Sequence, residues 1–159
     1  MSAPSVFLCY THENREHNEW VRSLAANLLG NGVDVTADFY DLRGGFSVTR
    51  FMDTVVDKDK VVIICTPEYK LRADGEIGGA GAEFAKVKAQ LVAGTVDGRI
   101  IPVLRNGGRA TAIPTAISHL LSIDMTNLTY YEDKFDELLR AIYDEPTVRK
   151  PPIGRRPAF

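Results

Sequence analysis

Short, wholly apolar runs alternate along this chain with stretches whose apolar residues recur every three or four positions. Val6–Tyr10 is the first such run, the pattern of a strand buried on both faces. Trp20, Val21, Leu24, Ala25, Leu28 and Leu29 then fall on one helical face. Gly30-Asn31-Gly32 ends that helix, because glycine accepts the left-handed backbone common at helix C-termini. Val33–Ala37 reads as a second strand and Asp38–Phe46 as a loop. Ser47 is a plausible N-cap for a helix with Phe51, Met52, Val55 and Val56 inward. Val61–Cys65, β-branched and uninterrupted, is the clearest strand. Thr66–Gly81 reads as a long, polar, glycine-rich loop, and helical spacing resumes at Ala82 with Phe84, Val87, Lys88 and Leu91. Ile100–Leu104 is a fourth strand, in which Pro102 suggests an exposed or weakly paired position. Leu121–Met125 is a weaker fifth, and Tyr131–Tyr143 an amphipathic helix using Phe135, Leu138, Leu139 and Ile142.

Strands alternating with helices predict an α/β fold, a parallel sheet with helices on both faces. Right-handed crossovers leave few ways to join the pieces, and the expected strand order is 2-1-3-4-5 with Val61–Cys65 interior. In such folds ligands bind beyond the C-terminal ends of the strands. The segments to watch are therefore Cys9-Tyr10-Thr11, Asp38–Phe46 and Thr66–Glu83. No internal repeat or second domain is evident, so residues 1–146 read as one domain and 147–159 as a tail.

Composition narrows the class. With 159 residues, 45% hydrophobic and 25% charged, the chain suits one ordinary globular domain. No apolar run is long enough to span a bilayer. Met1-Ser2-Ala3-Pro4 lacks the basic start of a signal peptide, so a cytoplasmic setting is expected, with no membrane partner. Cys9 and Cys65 have no metal-ligand spacing and sit in apolar runs, which predicts reduced core thiols. The net charge of −2 conceals an asymmetry: four of the 19 basic residues, Arg149, Lys150, Arg155 and Arg156, lie in the tail. Residues 1–146 thus hold 15 bases against 21 acids, a poor surface for nucleic acid. Pro146, Pro151, Pro152 and Pro157 make the tail a stiff, solvated linker.

Several functions common on such sheets lack their residues. A phosphoacceptor receiver needs an acidic pair after the first strand and an aspartate ending the third, where this chain has Tyr10-Thr11 and Cys65-Thr66. Thr11-His12-Glu13-Asn14 is not a flavodoxin phosphate loop, and no GxxxxGK[ST] motif occurs. Gly78-Gly79-Ala80-Gly81 has no lysine and follows a long loop, a weak nucleotide fingerprint.

Phe7-Leu8-Cys9-Tyr10-Thr11-His12-Glu13 resembles the box-one segment of bacterial TIR (Toll/interleukin-1 receptor) domains of a SEFIR-like subgroup. Asp38-Phe39-Tyr40-Asp41-Leu42-Arg43-Gly44-Gly45 is similar to their BB loop, and Val61–Tyr69 to their third-strand signature. Gly78–Glu83 resembles the approach to their catalytic glutamate, and Ile101–Leu104 their fourth strand. The resemblance covers roughly residues 5–146, in order. It implies a five-stranded flavodoxin-like domain that either cleaves NAD+, to a linear or a cyclic product, or serves as a non-catalytic TIR–TIR adaptor. By position Glu83 matches the catalytic glutamate; Tyr10, Thr11, Asp38, Tyr40, Arg43, Phe46 and Tyr69 match the nucleotide cleft. Asp41, Leu42, Gly44 and Gly45 match a loop that mediates self-assembly with other TIR domains, including filaments. The implied biology is bacterial antiviral defence, with a sensor domain beyond Phe159, NAD+ as substrate, no cofactor and no metal. One departure is that Gly81-Ala82 stands where many TIR enzymes carry a Trp-Cys pair.

A lone carboxylate suits that chemistry. Cleaving the nicotinamide–ribose bond generates an oxocarbenium-like sugar, as in glycoside hydrolysis. Nicotinamide leaves neutral from a cationic nitrogen, so no general acid is needed, and one carboxylate can stabilise the developing charge. The plainer alternative makes Glu83 a solvated acid near a helix N-terminus. His12 and His17 are expected at the surface, His119 is isolated, and Trp20 belongs to the core by spacing. Arg43 has three open uses: a phosphate, a neighbouring subunit, or water.

Overall fold

A computed structural model of the chain describes residues 2–93 and 97–159. Its strands are β1 (Ser5–Cys9), β2 (Asp34–Thr36), β3 (Lys60–Cys65), β4 (Ile100–Leu104) and β5 (Ile123–Asp124). They form one sheet in the order 2-1-3-4-5, every neighbouring pair parallel. Cys9 lies opposite Ile63 and Cys65 opposite Leu104. All six residues of β3 are buried, as a strand covered on both faces requires.

Side chains alternate across the sheet, and two cores follow from that alternation. Val6, Leu8, Val62, Ile64 and Val103 face α1 (Arg15–Gly30) and α7 (Tyr131–Tyr143). Phe7, Cys9, Val61, Ile63 and Cys65 face the opposite way, onto Val55, α4 (Pro67–Gly75) and α5 (Gly78–Ala93). Between the second and third strands lie α2 (Asp38–Asp41) and α3 (Val48–Asp53), which a 3-10 turn continues. A short α6 (Arg109–Ala112) follows β4. Ser47 caps α3 as expected, accepting from the Arg50 N–H at 3.2 Å. No described helix is long and apolar enough to cross a membrane.

Several expectations need correction. Thr66–Gly81 is not a loop: Thr66 caps α4 by accepting from the Tyr69 N–H at 3.0 Å, and Pro67 follows at the first helical position. The next helix starts at Gly78 rather than Ala82, so the glycines are helical. Asp38–Phe46 opens with the helical turn α2. Pro102 is buried opposite Ile63 in an interior strand; β5 pairs only Val103 and Leu104, so the missing N–H breaks no bond on that side. Leu29, Val56 and Leu121 face outward: Leu29 lies beside Leu28, the residue α1 buries there, Val56 sits in a 3-10 turn that buries Val55 instead, and β5 is only two residues long. The two cysteines are buried and free. Residues 147–159 are exposed and form neither helix nor strand.

The interior placement of β3 makes a direct prediction. Ile63→Ala should cost about 2–5 kcal/mol, the usual range for emptying a fully buried site. Urea unfolding would measure it, and a loss below about 1 kcal/mol would contradict burial on both faces.

Candidate active site

Three chain segments meet where β1 and β3 end. β1 runs into Tyr10, whose hydroxyl donates to Asp38 Oδ1 at 2.8 Å. His12 Nε2 lies 2.6 Å from Asp38 Oδ2, so one carboxylate at the start of α2 ties both residues to the end of β2. Burial first, then the bond to Asp38, raises the Tyr10 phenol above its ordinary value and keeps it a donor.

Beside this lies a polar knot that sequence reasoning missed. Glu13 Oε2 accepts from Thr11 Oγ1 at 2.6 Å and Thr66 Oγ1 at 2.8 Å, and His17 Nε2 is 3.2 Å away. Asn14 caps α1 by accepting from the His17 N–H, which turns His17 inward. His17 is therefore buried, not at the surface as expected. Burial lowers its pKa most, Glu13 opposes that, and Arg105 lowers it further. Arg105, just after β4, stacks 4.8 Å over the half-buried Trp20 ring. The one sequence cue to this knot was an asparagine directly ahead of a helical pattern.

Glu83 occupies the second turn of α5, so the solvated first-turn alternative does not hold. The residue as a whole is half-buried, yet its Oε1 is shut off from solvent and has no hydrogen-bond partner. Burial pushes its pKa up to about 8; the nearby Cys9 thiol pulls down and the Asp38 charge pushes up. The carboxyl thus faces the end of β1, with Cys9, Tyr69, Tyr10 and Asp38 around it. Burial also holds the Cys9 thiol and Tyr69 hydroxyl well above their ordinary values, so both stay protonated.

Not every expected site residue is brought here. Tyr10, Asp38 and Glu83 converge. Tyr69 converges too, but fully buried within α4, with its hydroxyl unpartnered. Thr11 is buried and committed to Glu13. Tyr40, in α2, meets the Phe39 ring edge-on, and the Arg43 guanidinium sits 4.7 Å over Phe46, so both are engaged within segment 38–46. In the loop matched to self-assembly, Leu42 is half-buried, whereas Phe46 is 50% exposed. Of the two loop glycines, Gly45 holds the left-handed backbone, at φ 88°.

Gly81 explains the departure ahead of the glutamate. A Cβ there would stand 2.4 Å from the Glu76 carbonyl carbon and 2.9 Å from Arg72 O, both backbone. Only glycine lets the start of α5 cross the end of α4 this closely. One cleft of about 600 Å³ opens at the N-terminal ends of β4 and β5, and another of about 560 Å³ between residues 41–47 and α3. Glu83 lines neither, and charge and hydrogen bonding rather than cleft size single out its surroundings. Among the described residues no cluster of histidine, cysteine and acids could hold a metal.

A family model described as the TIR domain matches residues 6–139. Among solved structures, a prokaryotic SEFIR domain is 26% identical, with a TM-score of 0.72 over 89% of this chain and 99% of that one. The TIR domain of the Toll-related receptor TRR-2 from the lower metazoan Hydra magnipapillata is 18% identical, with a TM-score of 0.63 over 87% and 97%. No curated protein matches.

Two predictions follow from the packing around Glu83. Gly81→Ala should destabilise by about 1–3 kcal/mol in chemical unfolding, since two backbones must separate; an unchanged midpoint would refute the close crossing. Glu83 is raised from 4.5 to about 8 on folding, so the native state holds its proton more tightly than the unfolded chain. The stability this contributes is complete below about pH 4.5 and is lost as pH climbs to about 8. Glu83→Gln should therefore gain on the wild type across that window, by up to a few kcal/mol. Parallel stability–pH curves for the two proteins would contradict the burial.

Proposed function

The chain belongs to the TIR domain family, and on that premise we propose that it is an NAD+ glycohydrolase with Glu83 as the acting group. The observation that carries this reading is the Glu83 carboxyl at the C-terminal end of β1, whose Oε1 is shut off from solvent and has no hydrogen-bond partner. A buried polar group without a hydrogen bond costs about 1–3 kcal/mol. The Cys9 thiol offsets only part of the desolvation, and perturbed acids with an unsatisfied oxygen gather where chemistry occurs.

The ribose hydroxyls supply the missing donors, and the positive nicotinamide ring supplies an opposite charge. Its charge favours the ionised carboxyl, which releases its proton as NAD+ binds. The bond from ribose C1 to the nicotinamide nitrogen then breaks, and its electron pair leaves with neutral nicotinamide. Glu83 stabilises the ribosyl cation. Water captures that cation and loses a proton, giving ADP-ribose; an adenine nitrogen of the same molecule gives a cyclic product instead. Asp38, which now holds Tyr10 and His12, is placed to accept from ribose hydroxyls.

Since Glu83 opens into neither cleft, segment 38–46 must move to admit the nucleotide, carrying Tyr40, Arg43 and Phe46 over it. Docking of this loop on a neighbouring TIR domain drives the movement, because a partner that binds the open form better shifts the population toward it. Gly44 and Gly45 let the backbone swing, and Asp41, Leu42 and Phe46 supply the contact. A head-to-tail contact of this kind builds open filaments. In this reading the domain is a cytoplasmic effector of bacterial antiviral defence that depletes NAD+. The closed surroundings of Glu83 favour a second reading, a TIR–TIR adaptor without chemistry.

Nicotinamide release separates the two. Specific activity should rise with protein concentration and fall on the order of a hundredfold or more in Glu83→Gln. The free enzyme must ionise Glu83, so kcat/KM should climb with pH toward about 8. No nicotinamide at any concentration supports the adaptor, and full turnover in Glu83→Gln removes Glu83 from the mechanism.

A further inference from the structure

The opposite end of the sheet carries a surface that the Glu83 chemistry does not use. A cleft of about 600 Å³ opens at the N-terminal ends of β4 and β5, against the last turn of α7. Its apolar lining includes Ile100, Ile123 and Ala141, and Leu121 stands 84% exposed at its side. Its rim is acidic: Asp97, Glu137, Asp144 and Glu145. Asp144 is held by the buried Lys60 and Glu137 by Lys134, while Asp97 and Glu145 have no ion-pair partner among the described residues. The basic residue of the lining, Arg140, is paired with Asp136.

The same chain carries the complement. Residues 147–159 form no helix or strand, and Ile153 is 95% exposed. Arg149 and Lys150 precede Ile153, and Arg155 and Arg156 follow it. An exposed isoleucine between two pairs of cations matches an apolar cleft with an acidic rim. We propose that this cleft receives the tail of a second copy of the chain, with Ile153 as the anchor.

The occupant is a second copy because its own tail leads away. Pro146 and Thr147 already line the cleft, where the tail departs. Pro151-Pro152 favour extended backbone just ahead of Ile153. In the folded chain Ile153 stands 95% exposed rather than in the cleft its own tail has just left. A neighbour's Ile153 can fill it, and reciprocal exchange of tails closes a two-fold dimer.

Sedimentation of the full chain over a range of concentrations tests this, with circular dichroism to verify folding. The wild type should self-associate, more weakly as salt rises. Ile153→Asp, a change in the unfolded tail that cannot disturb the core, should weaken association on the order of tenfold or more. Asp97→Lys with Glu145→Lys should do the same, and adding Arg155→Glu with Arg156→Glu should restore it. A chain that stays monomeric at every concentration overturns the proposal. So does association unchanged by Ile153→Asp, or a monomer whose tail is protected from protease in dilute solution.

Discussion

Strand β3 has no surface to give to water, since every residue from Lys60 to Cys65 is buried. A strand in that position must be roofed on both faces, and each roof sets a distance. On one side α1 and α7 pack on Val62 and Ile64. On the other, α4 and α5 share the space above Ile63 and Cys65. Two helices fit there because Gly81 lets α5 cross the backbone of Arg72 and Glu76 without a side chain between them. Two residues later comes Glu83, and the same crossing turns its carboxyl inward, to the end of β1. The position of the acid is thus a consequence of how tightly the sheet is covered.

That position creates a tension that the proposed chemistry resolves. Burial keeps Glu83 neutral around pH 7, and a neutral carboxyl does little for a developing sugar cation. The thiol of Cys9 favours ionisation, but desolvation outweighs it. A substrate that carries its own positive charge reverses the balance at the moment it binds. On the proposed reading the resting domain is inert twice over, with its acid protonated and its nucleotide site unopened until residues 38–46 move. Such a domain can be abundant without consuming its substrate, and any contact that moves the loop releases both controls.

Elements with one dominant signal were legible in the sequence. The β-branched run of β3 and the regular spacing in α7 translate directly into burial, because nothing else competes for those residues. Helix α4 was missed because its composition is polar and little of it reaches the core beyond Tyr69 and Ala73. Its start was nevertheless written in Thr66-Pro67-Glu68, a cap, a first-turn proline and an acid that suits the helix dipole. The glycines before Glu83 resembled a loop, and only the α4–α5 contact makes them helical. At the site, Tyr10 and Asp38 converge because they follow the paired strands β1 and β2, and Glu83 joins them because α5 packs against β1. Tyr40, Arg43 and Phe46 lie on a segment whose conformation local sequence does not dictate. Glu13 and His17 are four residues apart, but Thr66 and Arg105 join them only through tertiary packing, which no spacing along the chain reveals.

The central claim is that Glu83 is a buried, neutral acid poised to ionise against a cationic ligand. Selective 13C labelling of the glutamate side chains, with Glu83 assigned by its absence in Glu83→Gln, would follow its carboxyl directly by NMR. The account predicts a carboxyl titrating near pH 8 in the free protein, and at lower pH with a non-cleavable NAD+ analogue bound. A Glu83 carboxyl that titrates near its ordinary 4.5, with or without that ligand, would contradict it.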